Sequence, residues 1–252
     1  MHKMRKKRKV VLFLHIPKTA GKTLGEILKS QYPARVVRFD GTPKHRWYKG
    51  KTALYLRRQC NQGKRCIYGH YNFAMNLHEK LSRPFCYITM LRDPVDRVIS
   101  LYFYIRRSPG HYLHTRVRNM SLAQFASAQD IHENSNSQTI LLAGSNNAEL
   151  AKQNLARYFS VVGLTEHFNE SLFLMKRELG WRNLRRYVSY HVSKRRPSVR
   201  EVSPQVIQII QNNNRSDIEV YEFAKHLFQQ KLNSLEPEAR NQLQVFLGQI
   251  KP

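Results

Sequence analysis

The sequence predicts an α/β protein: a doubly wound, mainly parallel central sheet flanked by helices, followed by a helical C-terminal part. Three observations carry that expectation. Short, wholly apolar runs recur, as in strands covered on both faces; helical patterns alternate with them; and beyond residue 190 only helical patterns remain. At 252 residues and 41% hydrophobic content the chain is long enough for one full core. No repeat and no long Pro/Gly/Ser-rich linker divides it, so a basic tail at 1–9 and a single domain at 10–252 are expected.

The first strand is expected at 10–15, where Val10-Val11-Leu12-Phe13-Leu14-His15 is apolar until its last residue. A small, basic, hydroxyl-rich turn follows, and a helix resumes at 24–31. Strands at 35–39 and 65–68 bracket a helix at 51–58. The strand at 85–91 runs directly into Arg92-Asp93-Pro94, and Pro94 suits the first turn of the helix at 95–106. Helices at 122–128 and 148–157 precede a strand at 160–163 and a helix at 172–179. Helices at 204–211, 218–230 and 239–250 complete the chain, and the polar stretches 41–51, 108–119 and 190–200 read as excursions from the domain.

Strand, tight turn and helix N-terminus make an anion-binding pattern, because the first-turn N–H groups and the positive end of the helix dipole meet there. Lys18 and Lys22 add charge, and Thr19 and Thr23 add hydroxyls. Gly21-Lys22-Thr23 matches the last three residues of a Walker A loop, but Ile16 stands where its first glycine belongs and Pro17 stiffens the turn. The turn is shorter than a nucleotide triphosphate loop. A second strand-to-helix junction places Arg92 at the C-terminal end of a strand, where open α/β sheets bind ligands, with Ser100 two turns into the next helix. An ion pair of Arg92 with Asp93 or Asp96 is the structural alternative for that arginine.

The formal charge of +26, from 43 Lys and Arg against 17 Asp and Glu, implies an acidic partner. Charge alone leaves nucleic acid, anionic lipid and acidic polysaccharide open, and the cluster Lys3 to Lys9 reads equally as a solvated tail. The five apolar residues after that cluster are better read as a core strand than as a signal peptide, and no stretch approaches the ~20 apolar residues of a membrane span. Cys60, Cys66 and Cys86 are few and odd in number, so a reducing compartment is expected.

Pro17-Lys18-Thr19-Ala20-Gly21-Lys22-Thr23 and Arg92-x7-Ser100 resemble the 5′-phosphosulfate loop and the 3′-phosphate motif of sulfotransferases that use 3′-phosphoadenosine 5′-phosphosulfate (PAPS). His15-Ile16-Pro17-Lys18-Thr19-Ala20-Gly21 and Leu91-Arg92-Asp93-Pro94-Val95-Asp96-Arg97 are similar to the branch that contains the heparan sulfate 2-O- and 6-O-sulfotransferases and their bacterial relatives. Later segments are similar too: Asn136 to Thr139, Val162 to Glu166 and Asp217 to Tyr221. The likeness runs from about residue 10 to about residue 230. One departure is Lys22, where many relatives carry Thr or Ser.

The resemblance implies a P-loop NTPase-like sulfotransferase fold, PAPS as co-substrate, no required metal, and a carbohydrate hydroxyl as acceptor, on an acidic polysaccharide or glycan rather than a specific nucleic acid. It implies a bacterial-type cytoplasmic enzyme, or a Golgi luminal one if the chain is a trimmed domain. Lys18 would neutralise the leaving phosphate, with Thr19, Ala20, Gly21, Lys22 and Thr23 holding the 5′-phosphate. Arg92 and Ser100 would take the 3′-phosphate, with Arg196 as a further contact. His70, just past the strand at 65–68, leads eleven histidines as the general base. His15 is expected to shape the loop, and His78, His132 and His167 have weaker cases. Asn136 and Gln138 are expected to face the acceptor, with helix capping the alternative for Asn136, while Trp47, Trp181 and the tyrosines are stacking or core residues. No His/Cys/carboxylate cluster shows metal-ligand spacing. Two other readings stay open: a P-loop kinase or NTPase with Asp93 as its Walker-B-like carboxylate, and a non-catalytic polyanion-binding protein.

Overall fold

Val10, Val11, Leu12, Phe13 and Leu14 are each at most 2% exposed, which places their strand, β1 (Val10–Leu14), in the middle of a sheet covered on both faces. In the computed structural model, which describes residues 9–39, 52–81, 83–181, 184, 186–188 and 196–251, β1 lies between β3 (Cys66–Gly69) and β4 (Phe85–Leu91). β2 (Val36–Arg38) and β5 (Phe159–Leu164) form the two edges, giving the order β2-β3-β1-β4-β5 with all pairings parallel. Leu14 pairs with Gly69 on one side and with Thr89 on the other. The chain therefore leaves β1 towards one edge and returns to pair on its opposite side at β4. Such a switch in strand order opens a crevice at the C-terminal strand ends.

Helices cover the sheet. The first half contributes α1 (Gly21–Gln31), α2 (Thr52–Asn61) and α3 (Pro94–Arg106), and short helices follow as α4 (His114–Val117), α5 (Leu122–Ser127) and α6 (Ser137–Ala143). Then come α7 (Ala148–Tyr158), α8 (Phe168–Leu179), α9 (Pro204–Asn213), α10 (Arg215–Asn233) and α11 (Pro237–Gln249). Helices α8 and α10 pack on β5, and α6, α7 and α10 pack on one another. A second apolar cluster joins α3, α5 and α9 through Val98, Ile99, Phe125 and Ile210. Among the described residues no helix is long and apolar enough to cross a membrane.

All five expected strands are present, with bounds within a residue or so. Helix α1 begins at Gly21, three residues before the expected start, so Gly21, Lys22 and Thr23 form its first turn. The expected starts of α8 and α10 were likewise late, and α4 and α6 were not expected. Trp181 is core: its indole N–H donates to the Tyr32 hydroxyl at 3.1 Å. Cys60, Cys66 and Cys86 are buried thiols without a disulfide. The tail at 1–8, Trp47 and residues 193–195 lie outside the described residues.

Candidate active site

The loop after β1 turns within six residues by placing Lys18 (φ 71°) and Ala20 (φ 59°) in the positive-φ region. Non-glycine residues there cost of order 1–3 kcal/mol each and persist where their surroundings hold them. Here the Thr19 hydroxyl donates to the Ile16 carbonyl at 2.8 Å, and Arg92 Nη1 donates to the Lys18 carbonyl at 3.1 Å. Alternating backbone of this kind, followed by a helix N-terminus, is the geometry of an anion cradle. The first helical bond runs from Leu24 N to Ala20 O, so the amides of Gly21, Lys22 and Thr23 lie ahead of the ladder. No acidic side chain occupies that first turn.

A cavity of about 600 Å³ opens over the loop and the ends of β1, β3 and β4. That volume suits a nucleotide-sized ligand. On the β3 side His70 enters it, with Nδ1 2.9 Å from the His15 carbonyl oxygen. A carbonyl only accepts, so Nδ1 carries the hydrogen and the neutral ring keeps its basic lone pair on Nε2. The His15 ring stacks on His70, with centroids 4.2 Å apart. Burial, then the neighbouring His70, Arg38 and Lys18, hold His15 well below the ordinary histidine range, so it stays neutral beside its partner.

Gly21 is required by sterics rather than by backbone angle. A Cβ there would lie 1.8 Å from His15 Cδ2 and 2.0 Å from Nε2. The ring has little room to yield, since Phe13 stacks on it at 5.5 Å and His70 at 4.2 Å. Gly21→Ala is therefore expected to destabilise the protein by about 1–3 kcal/mol and to displace His15 from beneath His70. Thermal denaturation checks it, and His15→Ala in the same chain should recover part of the loss.

On the β4 side Arg92, half-buried, is fixed from several directions. Its Nε donates to Asp96 at 2.8 Å and its Nη2 pairs with the same carboxylate. Arg196 meets Asp96 as well, so one carboxylate on the first turn of α3 holds two guanidinium groups together. Burial pushes the Asp96 carboxyl up, but the hydrogen bonds and charges of Arg196 and Arg92 outweigh it and hold it below the usual range. Ser100 is buried on α3 and lines the cavity, as do Arg92 and Arg196. One turn beyond Ser100, the Tyr104 ring lies 4.1 Å from Lys18 Nζ. Burial, followed by the charges of Arg92, Arg107 and Arg196, lowers the Lys18 ammonium to about 8. The cavity is thus strongly cationic around one lysine.

The structure brings together Lys18, Ala20, Gly21, Lys22, Thr23, His70, Arg92, Ser100 and Arg196 around that cavity. The Thr19 side chain is wholly buried between two positive-φ residues and its hydroxyl donates to the Ile16 carbonyl, so the hydroxyl, unlike the main-chain amide, takes no part in the expected 5′-phosphate contact. Gln138 departs from the expectation. It is wholly buried and its amide bonds the Arg92 main chain, so it does not face an acceptor. Asn136 Oδ1 accepts from the Asp217 amide at 3.2 Å. Asp93 uses its carboxylate to cap α3 through the Asp96 amide at 2.9 Å, an ordinary N-cap. The lining also includes Arg38, which the sequence does not mark out, and Tyr68 and Tyr104, covered only by the general expectation for tyrosines; the strand-end position of Arg38 and the i+4 spacing of Tyr104 from Ser100 are the available signals. Among the described residues no group of three His, Cys, Asp or Glu side chains is placed to hold a metal.

The profile of the Sulfotransferase family matches residues 1–224. Heparan-sulfate 6-O-sulfotransferase 1-B of Danio rerio is 26% identical over an alignment 274 positions long, gaps included, that takes in 88% of this chain and 66% of that protein. The Homo sapiens heparan-sulfate 6-O-sulfotransferase 1 is 26% identical over an alignment of 275 positions, with the same coverage. Homo sapiens heparan-sulfate 6-O-sulfotransferase 3 is 26% identical and covered over 59% of its length. The chain spans just under two thirds of the relatives it matches. A mouse sulfotransferase solved in complex with PAP aligns over 94% of this chain and 82% of its own at 13% identity and a TM-score of 0.39, a distance at which the match carries no weight.

Proposed function

This chain belongs to the sulfotransferase family, and we propose that it transfers a sulfuryl group from PAPS to a hydroxyl of an acidic glycan. One observation carries the reading: a single cavity holds a histidine with Nδ1 tied to a carbonyl and a lysine surrounded by arginines. When bound, PAPS supplies an activated sulfuryl group whose leaving phosphate gains negative charge. His70 Nε2 takes the proton of the acceptor hydroxyl, which is a poor nucleophile without a base. The Lys18 ammonium stabilises charge at the departing oxygen and needs no reorganisation to do so. The first-turn amides of α1, with Lys22 and the Thr23 hydroxyl, hold the 5′-phosphate, while Arg92, Ser100 and Arg196 hold the 3′-phosphate.

The acceptor assignment rests on the relatives' names, which specify heparan sulfate, and on the net charge of +26, which suits a polyanion. A kinase reading loses its carboxylate, because Asp93 caps α3. Labelled PAPS offered to the protein with a panel of acidic and neutral polysaccharides should label an acidic one. Adenosine 3′,5′-bisphosphate should raise Tm more than ATP with Mg²⁺ at equal concentration. Equal stabilisation by ATP with Mg²⁺, or no label in any polysaccharide, overturns the reading.

A further inference from the structure

Gln138 is wholly buried, yet it spends its side chain on no residue of its own helix. Its Oε1 accepts from the Arg92 amide at 3.1 Å and its Nε2 donates to the Arg92 carbonyl at 2.9 Å. The amide thus pairs with both main-chain groups of the residue that follows β4, as a neighbouring strand would. Gln138 is itself held from the far end of the chain. Asp217 on α10, wholly buried, accepts from the Gln138 amide at 3.1 Å, the Thr139 amide at 2.7 Å and the Thr139 hydroxyl at 2.8 Å. Arg97 of α3, also wholly buried, faces the same carboxylate at 3.8 Å. Buried polar groups cost free energy unless satisfied, and here both bonds of the Gln138 side-chain amide go to the main chain of Arg92.

We propose that Gln138, anchored by Asp217, is a positioning residue for Arg92, and through it sets the affinity of the 3′-phosphate subsite. The inference rests on the reading of Arg92 as the 3′-phosphate ligand. The Asp96 pair orients the guanidinium, but its arc is set by where the Arg92 Cα stands, and Gln138 fixes that point. Shifts well under an ångström degrade a charge-assisted contact of this kind.

The test compares binding of adenosine 3′,5′-bisphosphate and adenosine 5′-monophosphate by calorimetry in the wild type, Gln138→Leu, Arg92→Ala and the double variant. Gln138→Leu should lose about tenfold or more in affinity for the bisphosphate, with the monophosphate changed less than twofold. The double variant should bind the bisphosphate no more weakly than Arg92→Ala alone, because Gln138 acts only through Arg92. Equal losses for both nucleotides, an unchanged bisphosphate affinity, or independent losses in the double variant overturn the proposal. If Gln138→Leu does not fold, Gln138→Asn, too short to reach both backbone atoms, is judged by the same ratio. Failure of the underlying reading looks different: Arg92→Ala itself would then show no loss specific to the 3′-phosphate.

Discussion

His70→Ala lowers sulfate transfer by about 10²–10⁴-fold while leaving the affinity for adenosine 3′,5′-bisphosphate within about twofold, the split expected when a general base is removed and the donor site is not. The size follows from the tautomer. With Nδ1–H committed to the His15 carbonyl at 2.9 Å, Nε2 is the atom with an in-plane lone pair for a proton. The stacked His15 remains neutral, so His70 can take up charge during the reaction without a second imidazolium 4.2 Å away. Single-turnover transfer of labelled sulfate measures the loss. His70→Asn supplies the control, because its amide can still donate towards the His15 carbonyl but offers no base; it should be as slow as the alanine variant. Retention of more than about a tenth of the wild-type rate in either variant assigns the proton to another group.

Where the sequence was readable and where it was not follows from how local each cause is. Strand β4 (Phe85–Leu91) was delimited to the residue, because a run buried on both faces needs no partner to announce itself. The start of α1 lies three residues ahead of where periodicity puts it, for the opposite reason. Its first turn, Gly21 to Thr23, faces the cavity and lacks the apolar periodicity that betrays a helix. Helix α6 (Ser137–Ala143) is short and preceded by Asn136 at φ 43°, and the carboxylate that caps it belongs to Asp217, about eighty positions away. No local signal exists for such a cap.

The site divides in the same way. The Arg92–Asp96 pair sits at i,i+4 and was foreseen as an ion pair, whereas the Arg196–Asp96 pair spans a hundred positions. The consequence is more than a missed contact: the ion pair offered as an alternative to ligand binding is what holds two guanidinium groups side by side at the cavity. The inward turn of the Thr19 hydroxyl has no local signal, because a hydroxyl in an anion loop reads as a ligand until the signs of φ on either side are known. Lys18 was legible as a charge, but its altered basicity comes from Arg92, Arg107 and Arg196 converging in three dimensions.

Lys18→Met is expected to slow transfer by about 10²–10³-fold and, at the same time, to stabilise the empty protein. Folding lowers the Lys18 ammonium from its ordinary value of 10.5 to about 8, so the folded state disfavours the charge. The resulting destabilisation, of order a few kcal/mol, is fully present below about pH 8 and fades as the pH rises towards 10.5. Methionine, one atom shorter, keeps most of the apolar stem and removes the charge beside three guanidinium groups, giving up in exchange the ammonium contact with Tyr104 at 4.1 Å. Its Tm in the absence of donor should exceed that of the wild type by about 2–4 °C for each kcal/mol gained, most clearly at pH 7 and less at pH 9.5. A bound phosphate adds negative charge beside the ammonium, so the rise in wild-type Tm caused by adenosine 3′,5′-bisphosphate should shrink as the pH passes through about 8. The kcat/KM for the donor should fall on the same limb, as the ammonium of the free enzyme is lost. A Lys18→Met protein that is less stable than the wild type at pH 7, or a bisphosphate-induced shift that is flat from pH 7 to 9.5, would show that the lysine is not held there against its own charge.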